Sequence, residues 1–221
     1  MASETEPPAP KQRILPLVNN SLFQNCQVLI SLLIILSYPI SVFKGTYLSL
    51  KQSNLDAVTA KLQSIDSEMG NSKLSADDMN TLTMSLSYLN NPSGGSVNKN
   101  GVNILTKLCC TLPPEKRFPA LDLLRLFVLY TPESINELVP GNNLVKFLQQ
   151  AGGLNAPTSE KIAVTNAMLA YRGLANLFIT PAGREIAWNG RNIIAEVLQP
   201  DVFGAYTTKP ARLAISTLAL K

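Results

Sequence analysis

From Lys44 onward, apolar residues recur with a helical period and never with the two-residue alternation of a strand. Leu55, Val58, Leu62 and Ile65 fall at three- and four-residue steps, behind Ser53 or Asn54 as a helix cap. Ser75 caps a second pattern carried by Met79, Leu82, Leu86 and Leu89, and Asp77 and Asp78 sit where acids favour the helix dipole. A polar loop, Asn90–Asn100, precedes an apolar run at Val102–Cys110. After the break at Pro113–Pro114 the pattern predicts one long helix from Glu115 to Tyr130, with Pro119 tolerated near its start. Short helices are predicted at 133–138 and 142–150, and Gly152–Gly153 with Pro157 then break the chain. Thr158 opens a helix to Phe178. Further helices follow from Pro181, at 190–198 and at Lys209–Lys221.

The long apolar helices resemble one another. FPALDLLRLFVLY starts at Phe118, AVTNAMLAYRGLANLF at Ala163 and PARLAISTLAL at Pro210, a spacing of about 45 residues, within the range of armadillo and HEAT units. One such hairpin cannot bury its apolar face alone, so a superhelical array is expected. The fold class is therefore all-α, an armadillo-like α-solenoid whose inner helices line a groove suited to an extended peptide.

The N-terminal part differs. Residues 1–13 are polar and proline-rich, and residues 1–17 are read as a disordered N-terminus. Residues 18–43 are an apolar segment without charge, most intense at Val28–Leu36. A membrane span needs about 20 apolar residues, which this stretch reaches if Asn25 and Pro39 are tolerated. No small-x-small cleavage site follows, which weakens a signal-peptide reading. A buried helix and a stretch foreign to the domain, such as translated intron, are the other accounts. Residues 44–221 form the helical domain.

Composition narrows the chemistry. The 46% apolar fraction is that of a folded protein, and the 6% aromatic content suits packed helices better than a sheet. Histidine is absent, which removes Ser–His and Cys–His catalysis and the usual histidine zinc sites. No phosphate-binding glycine loop occurs, and no carboxylate pair stands out. No catalytic residue, cofactor or metal site is therefore assigned. Cys26, Cys109 and Cys110 make neither a disulfide framework nor a ligand set, which fits a reducing compartment. The net charge of +4 is spread among carboxylates, with eleven basic and eight acidic residues in 113–221. Nucleic-acid domains cluster their cations more densely, whereas a basic groove for an acidic peptide needs only a few such residues and stays open.

FPALDLLRL (Phe118–Leu126) and GTYLSLKQSNLDAVTAKLQSID (Gly45–Asp66) together resemble the PUL domain. That domain is the C-terminal armadillo-like region of the phospholipase A-2-activating protein and fungal ubiquitin-fusion-degradation adaptor family. MLAYRGLANLF (Met168–Phe178) is similar to the family's Leu-Arg-x-x-x-Asn-x-Phe helix, PAGRE follows as a turn, and RLAISTLAL matches a late helix. The family shows no apolar span ahead of the TYLSLK-like opening, so an insert at Val18–Val42 behind ILPL is preferred to an anchor. The family also continues beyond the position of Lys221, which implies a solenoid incomplete at its C-terminus.

The resemblance implies a non-catalytic adaptor of the ubiquitin-proteasome system, cytoplasmic and nuclear. Its partner would be the C-terminal tail of the valosin-containing AAA ATPase, held in a basic groove, with ubiquitinated proteins reached indirectly. The competing class is a membrane-anchored helical scaffold, which rests on residues 18–43 alone. Five residues are expected to bind peptide. Arg125 stands amid apolar neighbours, where a lone cation suggests a groove, although Asp122 three residues earlier also allows an ion pair. Arg172 matches a family arginine, and Asn176 one turn later can hydrogen-bond a peptide backbone. Lys116 and Arg117 open their helix as further cations. Together these would hold acidic side chains and a terminal carboxylate through charge-assisted bonds.

Overall fold

The computed structural model describes residues 48–70, 73–92, 96–156 and 158–221. All of these lie in the second of the chain's two units, Pro39–Lys221. The expectations for residues 1–17 and 18–43 fall outside the described residues. Among the described residues there are eleven α-helices, two 3-10 turns and no strand, so the all-α expectation holds there. In chain order the helices are α1 Leu55–Ser67, α2 Ala76–Asn90, α3 Lys99–Thr111, α4 Phe118–Tyr130, α5 Pro132–Leu138 and α6 Leu144–Gly152. They continue as α7 Lys161–Leu177, α8 Pro181–Asn189, α9 Arg191–Val197, α10 Pro200–Phe203 and α11 Lys209–Ala219. No single described helix is long and apolar enough to cross a membrane.

Local chemistry sets the boundaries. Asn54 caps α1 by accepting from the Ala57 N–H at 3.1 Å. Ser75 and Asp78 make a reciprocal cap on α2: the Asp78 N–H donates to Ser75 Oγ at 3.0 Å, and that hydroxyl donates to Asp78 Oδ2 at 2.9 Å. The single helix expected over 115–130 is divided into a 3-10 turn, Pro114–Lys116, and α4. Pro119 explains the division, because its ring would collide with the carbonyl of residue 115 in a continuous helix. Gly153 ends α6 in the left-handed region at φ 70°, where a side chain would be strained. The helix expected from Thr158 begins at Lys161, and the short α10 was not foreseen.

Packing follows the recurrence. The three similar segments are α4, α7 and α11, and α7 lies between the other two while also packing on α6. Ten of the thirteen residues of α4 are buried, so it is a core helix covered on nearly every side. Tyr171 ties α7 to α9 through a 2.8 Å bond from its hydroxyl to the Val197 carbonyl, and it meets Tyr206 edge-on at 5.8 Å. One apolar cluster runs from Leu62 on α1 to Leu218 on α11. The segment ahead of α1 is laid across the central helices of this cluster.

Candidate functional site

Residues 48–53 carry no helix, yet Leu48, Leu50, Gln52 and Ser53 are each bonded to a residue far along the chain. Asn176, fully buried on α7, grips Leu50 twice. Its Oδ1 accepts from the Leu50 N–H at 2.9 Å, and its Nδ2 donates to the Leu50 carbonyl at 3.4 Å. The same Nδ2 donates to the Arg125 carbonyl at 2.9 Å, which joins α7 to α4. Arg125, only 1% exposed, donates through Nη1 to the Leu50 carbonyl and through Nη2 to the Gln52 carbonyl at 2.6 Å. Its Nε donates to Asp122 Oδ1 at 2.6 Å, and Asp122 Oδ2 accepts from the Ser53 hydroxyl at 2.7 Å. Beyond α11, Lys221 Nζ donates to the Leu48 carbonyl at 2.8 Å, and burial pushes its ammonium down to about 8.

The geometry is that of an extended chain. The gripped carbonyls belong to Leu48, Leu50 and Gln52, and in extended backbone alternate carbonyls share one edge. Three consecutive units therefore hold one peptide edge, with α4 supplying Asp122 and Arg125, α7 supplying Asn176, and the end of α11 supplying Lys221. A buried guanidinium is tolerated here because a carboxylate and two carbonyls satisfy its donors. The Leu50 side chain packs against the core cluster, which adds apolar contact to the main-chain bonds.

The five expected residues separate into three groups. Arg125 and Asn176 come together, and what they hold is the chain's own backbone. Arg125 was expected to face an open groove. It is instead closed over by residues 50–52, and its ion pair with Asp122, the alternative that the i,i+3 spacing allowed, is present. Lys116 is paired with Glu68 at 2.9 Å, and that hydrogen bond holds the Glu68 carboxyl below its ordinary range. Arg117 closes helix ends: its Nη2 and Nε donate to the Leu112 carbonyl at 2.9 and 3.2 Å, and its Nη1 donates to the Ala151 carbonyl at 3.1 Å. Those two are apart from the clamp.

Arg172 is the fifth. It sits one turn before Asn176, half-buried, with no hydrogen bond or ion pair to another described residue. Burial lowers its pKa, the neighbouring Arg125 guanidinium lowers it further, and Asp122 opposes both. Asp122, Ser53 and Lys221 belong to the clamp but were not among the expected site residues. Only Asp122 carried a signal, its spacing to Arg125.

The described residues form an armadillo-like helical stack whose central helices grip an extended segment of the same chain. A profile of the PUL domain matches residues 44–220, and the chain belongs to the PUL domain family. It is 27% identical over 175 residues to phospholipase A-2-activating protein of Xenopus laevis, an alignment covering 76% of this chain and 20% of that protein. The chain thus spans about a fifth of that relative's length. Family membership supports a role in protein–protein interaction.

Proposed function

We propose that this chain is a non-catalytic adaptor module that binds the C-terminal tail of the valosin-containing AAA ATPase, and so links that unfolding machine to the ubiquitin system. The observation that carries the reading is Arg172. Two guanidinium groups influence each other on adjacent helices, and of the two only Arg125 is ion-paired with a carboxylate among the described residues. A half-buried cation beside a second cation is relieved by an incoming anion, and such a charge-assisted bond is roughly twice as strong as a neutral one. An acidic side chain or terminal carboxylate of a tail fits that need. Similarity to phospholipase A-2-activating protein supports the same assignment.

Calorimetric titration of the full chain with a synthetic peptide of the ATPase tail tests it. Binding is expected at low ionic strength and should weaken as salt rises, since a partly exposed charge pair is screened. Absence of heat and of any fluorescence response at millimolar peptide would refute the assignment.

A further inference from the structure

The clamp formed by Arg125, Asp122 and Asn176 holds an extended peptide almost wholly through its main chain. Leu50 contributes both its N–H and its carbonyl, Gln52 and Leu48 contribute carbonyls, and only Ser53 contributes a side-chain atom. A site that reads main chain accepts extended peptides of many sequences, given a hydroxyl three residues after the doubly gripped position. Whatever occupies it must satisfy a guanidinium only 1% exposed and a fully buried carboxamide. An empty clamp would leave both terminal nitrogens of the guanidinium and the Asn176 Oδ1 without partners, although Arg125 Nε keeps Asp122 and Asn176 Nδ2 keeps the Arg125 carbonyl, so the site is stable only when filled. The present occupant is tethered at residue 54 to α1, and tethering gives a short segment a local concentration in the millimolar range.

We infer that residues 48–53 are a built-in occupant of a main-chain peptide site, and that this site exchanges its own segment for an extended peptide supplied from another molecule. The inference rests on the peptide-binding reading of the inner helices and adds its regulation. A partner gains the clamp by replacing the resident strand bond for bond, so access is set by competition with the tether. Arg172, one turn away on the same helix, lies outside the set of bonds that is exchanged.

The test uses the resident sequence itself as probe: a fluorescent, end-blocked hexapeptide LSLKQS, added to the full chain. Leu50→Pro removes the N–H that Asn176 accepts from while keeping an extended backbone, and thus weakens the resident strand selectively. Loss of one such bond should raise affinity for the hexapeptide by about tenfold over the wild-type chain. Adding Asn176→Ala to that variant should abolish the gain. Equal or weaker binding by a folded Leu50→Pro chain would overturn the inference. If the variant does not fold, amide exchange of the wild-type chain decides: millimolar hexapeptide should speed exchange at Leu50, whereas a scrambled peptide should not. An unchanged Leu50 rate would overturn it too. The probe is not the ATPase tail, so failure of exchange and failure of tail binding are separate results.

Discussion

Asn176 and Leu50 lie 126 residues apart in sequence, yet one carboxamide closes on both backbone groups of the leucine, at 2.9 and 3.4 Å. An asparagine is suited to this because its oxygen accepts where the N–H points and its nitrogen donates where the carbonyl points. In extended backbone those two groups of one residue share an edge. The pairing fixes the register of the segment on α7. Arg125 extends the same register to Gln52.

Asn176→Ala should therefore act on stability. It leaves the Leu50 N–H without a partner, at about 1–3 kcal/mol, and removes the second bond on the Arg125 carbonyl, which keeps its intrahelical one. A loss on the order of 2–4 kcal/mol is expected, read as a lower urea midpoint with an unchanged slope. A midpoint equal to wild type would mean that the residue is not buried under the segment.

Arg125→Met should cost more, about 3–5 kcal/mol, because it strips Asp122 of its cation and the Gln52 carbonyl of its donor, and leaves the Leu50 carbonyl only its bond from Asn176. Its effect should not add to that of Asn176→Ala, since both residues bond the Leu50 carbonyl. A double-mutant cycle in urea measures the coupling. Strict additivity would contradict the shared contact.

Arg172→Ala should leave the urea midpoint within about 0.5 kcal/mol of wild type, since it removes no bond to a described residue. Affinity for the acidic ATPase tail should fall roughly ten- to a hundredfold at low salt, with a smaller ratio at high salt. Lys116→Ala should leave that affinity nearly unchanged, because Lys116 is already paired with Glu68. Calorimetry on the two variants at two ionic strengths separates the cases. Equal effects of both substitutions would remove Arg172 from the site.

The adjacent cysteines give a test of packing alone. Cys109 is buried and Cys110 exposed, and burial pushes the Cys109 thiol far above its ordinary range, with Cys110 adding to the shift. Iodoacetamide on the native chain should alkylate Cys110, and reach Cys109 only in denaturant, as peptide mass spectrometry reports. Native labelling of Cys109 at the Cys110 rate would contradict the packing of α3.

Local chemistry was readable in advance because its causes lie within a few residues. Ser75 with Asp78, Asn54 and Gly153 mark helix ends through bonds or backbone angles that need no distant partner, whereas the sequence pattern predicts continuous helix across the break ahead of Pro119. The spacing of the segments starting at Phe118, Ala163 and Pro210 likewise identified the three helices that pack in order as α4, α7 and α11. The clamp was only half legible. Asp122 and Arg125 are one turn apart, so their pairing could be anticipated, and Asn176 stood out as an inner-helix polar residue. What they hold could not be read, since residues 48–53 have no period and their partners are 69 to 173 residues away. Arg125, read as open to a ligand, is filled from within the chain for that reason.

The Leu50 amide tests the central relationship most directly. In native-state hydrogen exchange of the full chain it should be protected to the level of the α7 core, although it belongs to no helix, because its N–H points into the buried Asn176 carboxamide. In the Asn176→Ala chain its protection should fall by roughly tenfold or more while α7 amides near Tyr171 keep theirs relative to the new global stability. Exchange of the wild-type Leu50 amide at the rate of an unstructured peptide would show that residues 48–53 do not occupy the clamp, and would contradict the account.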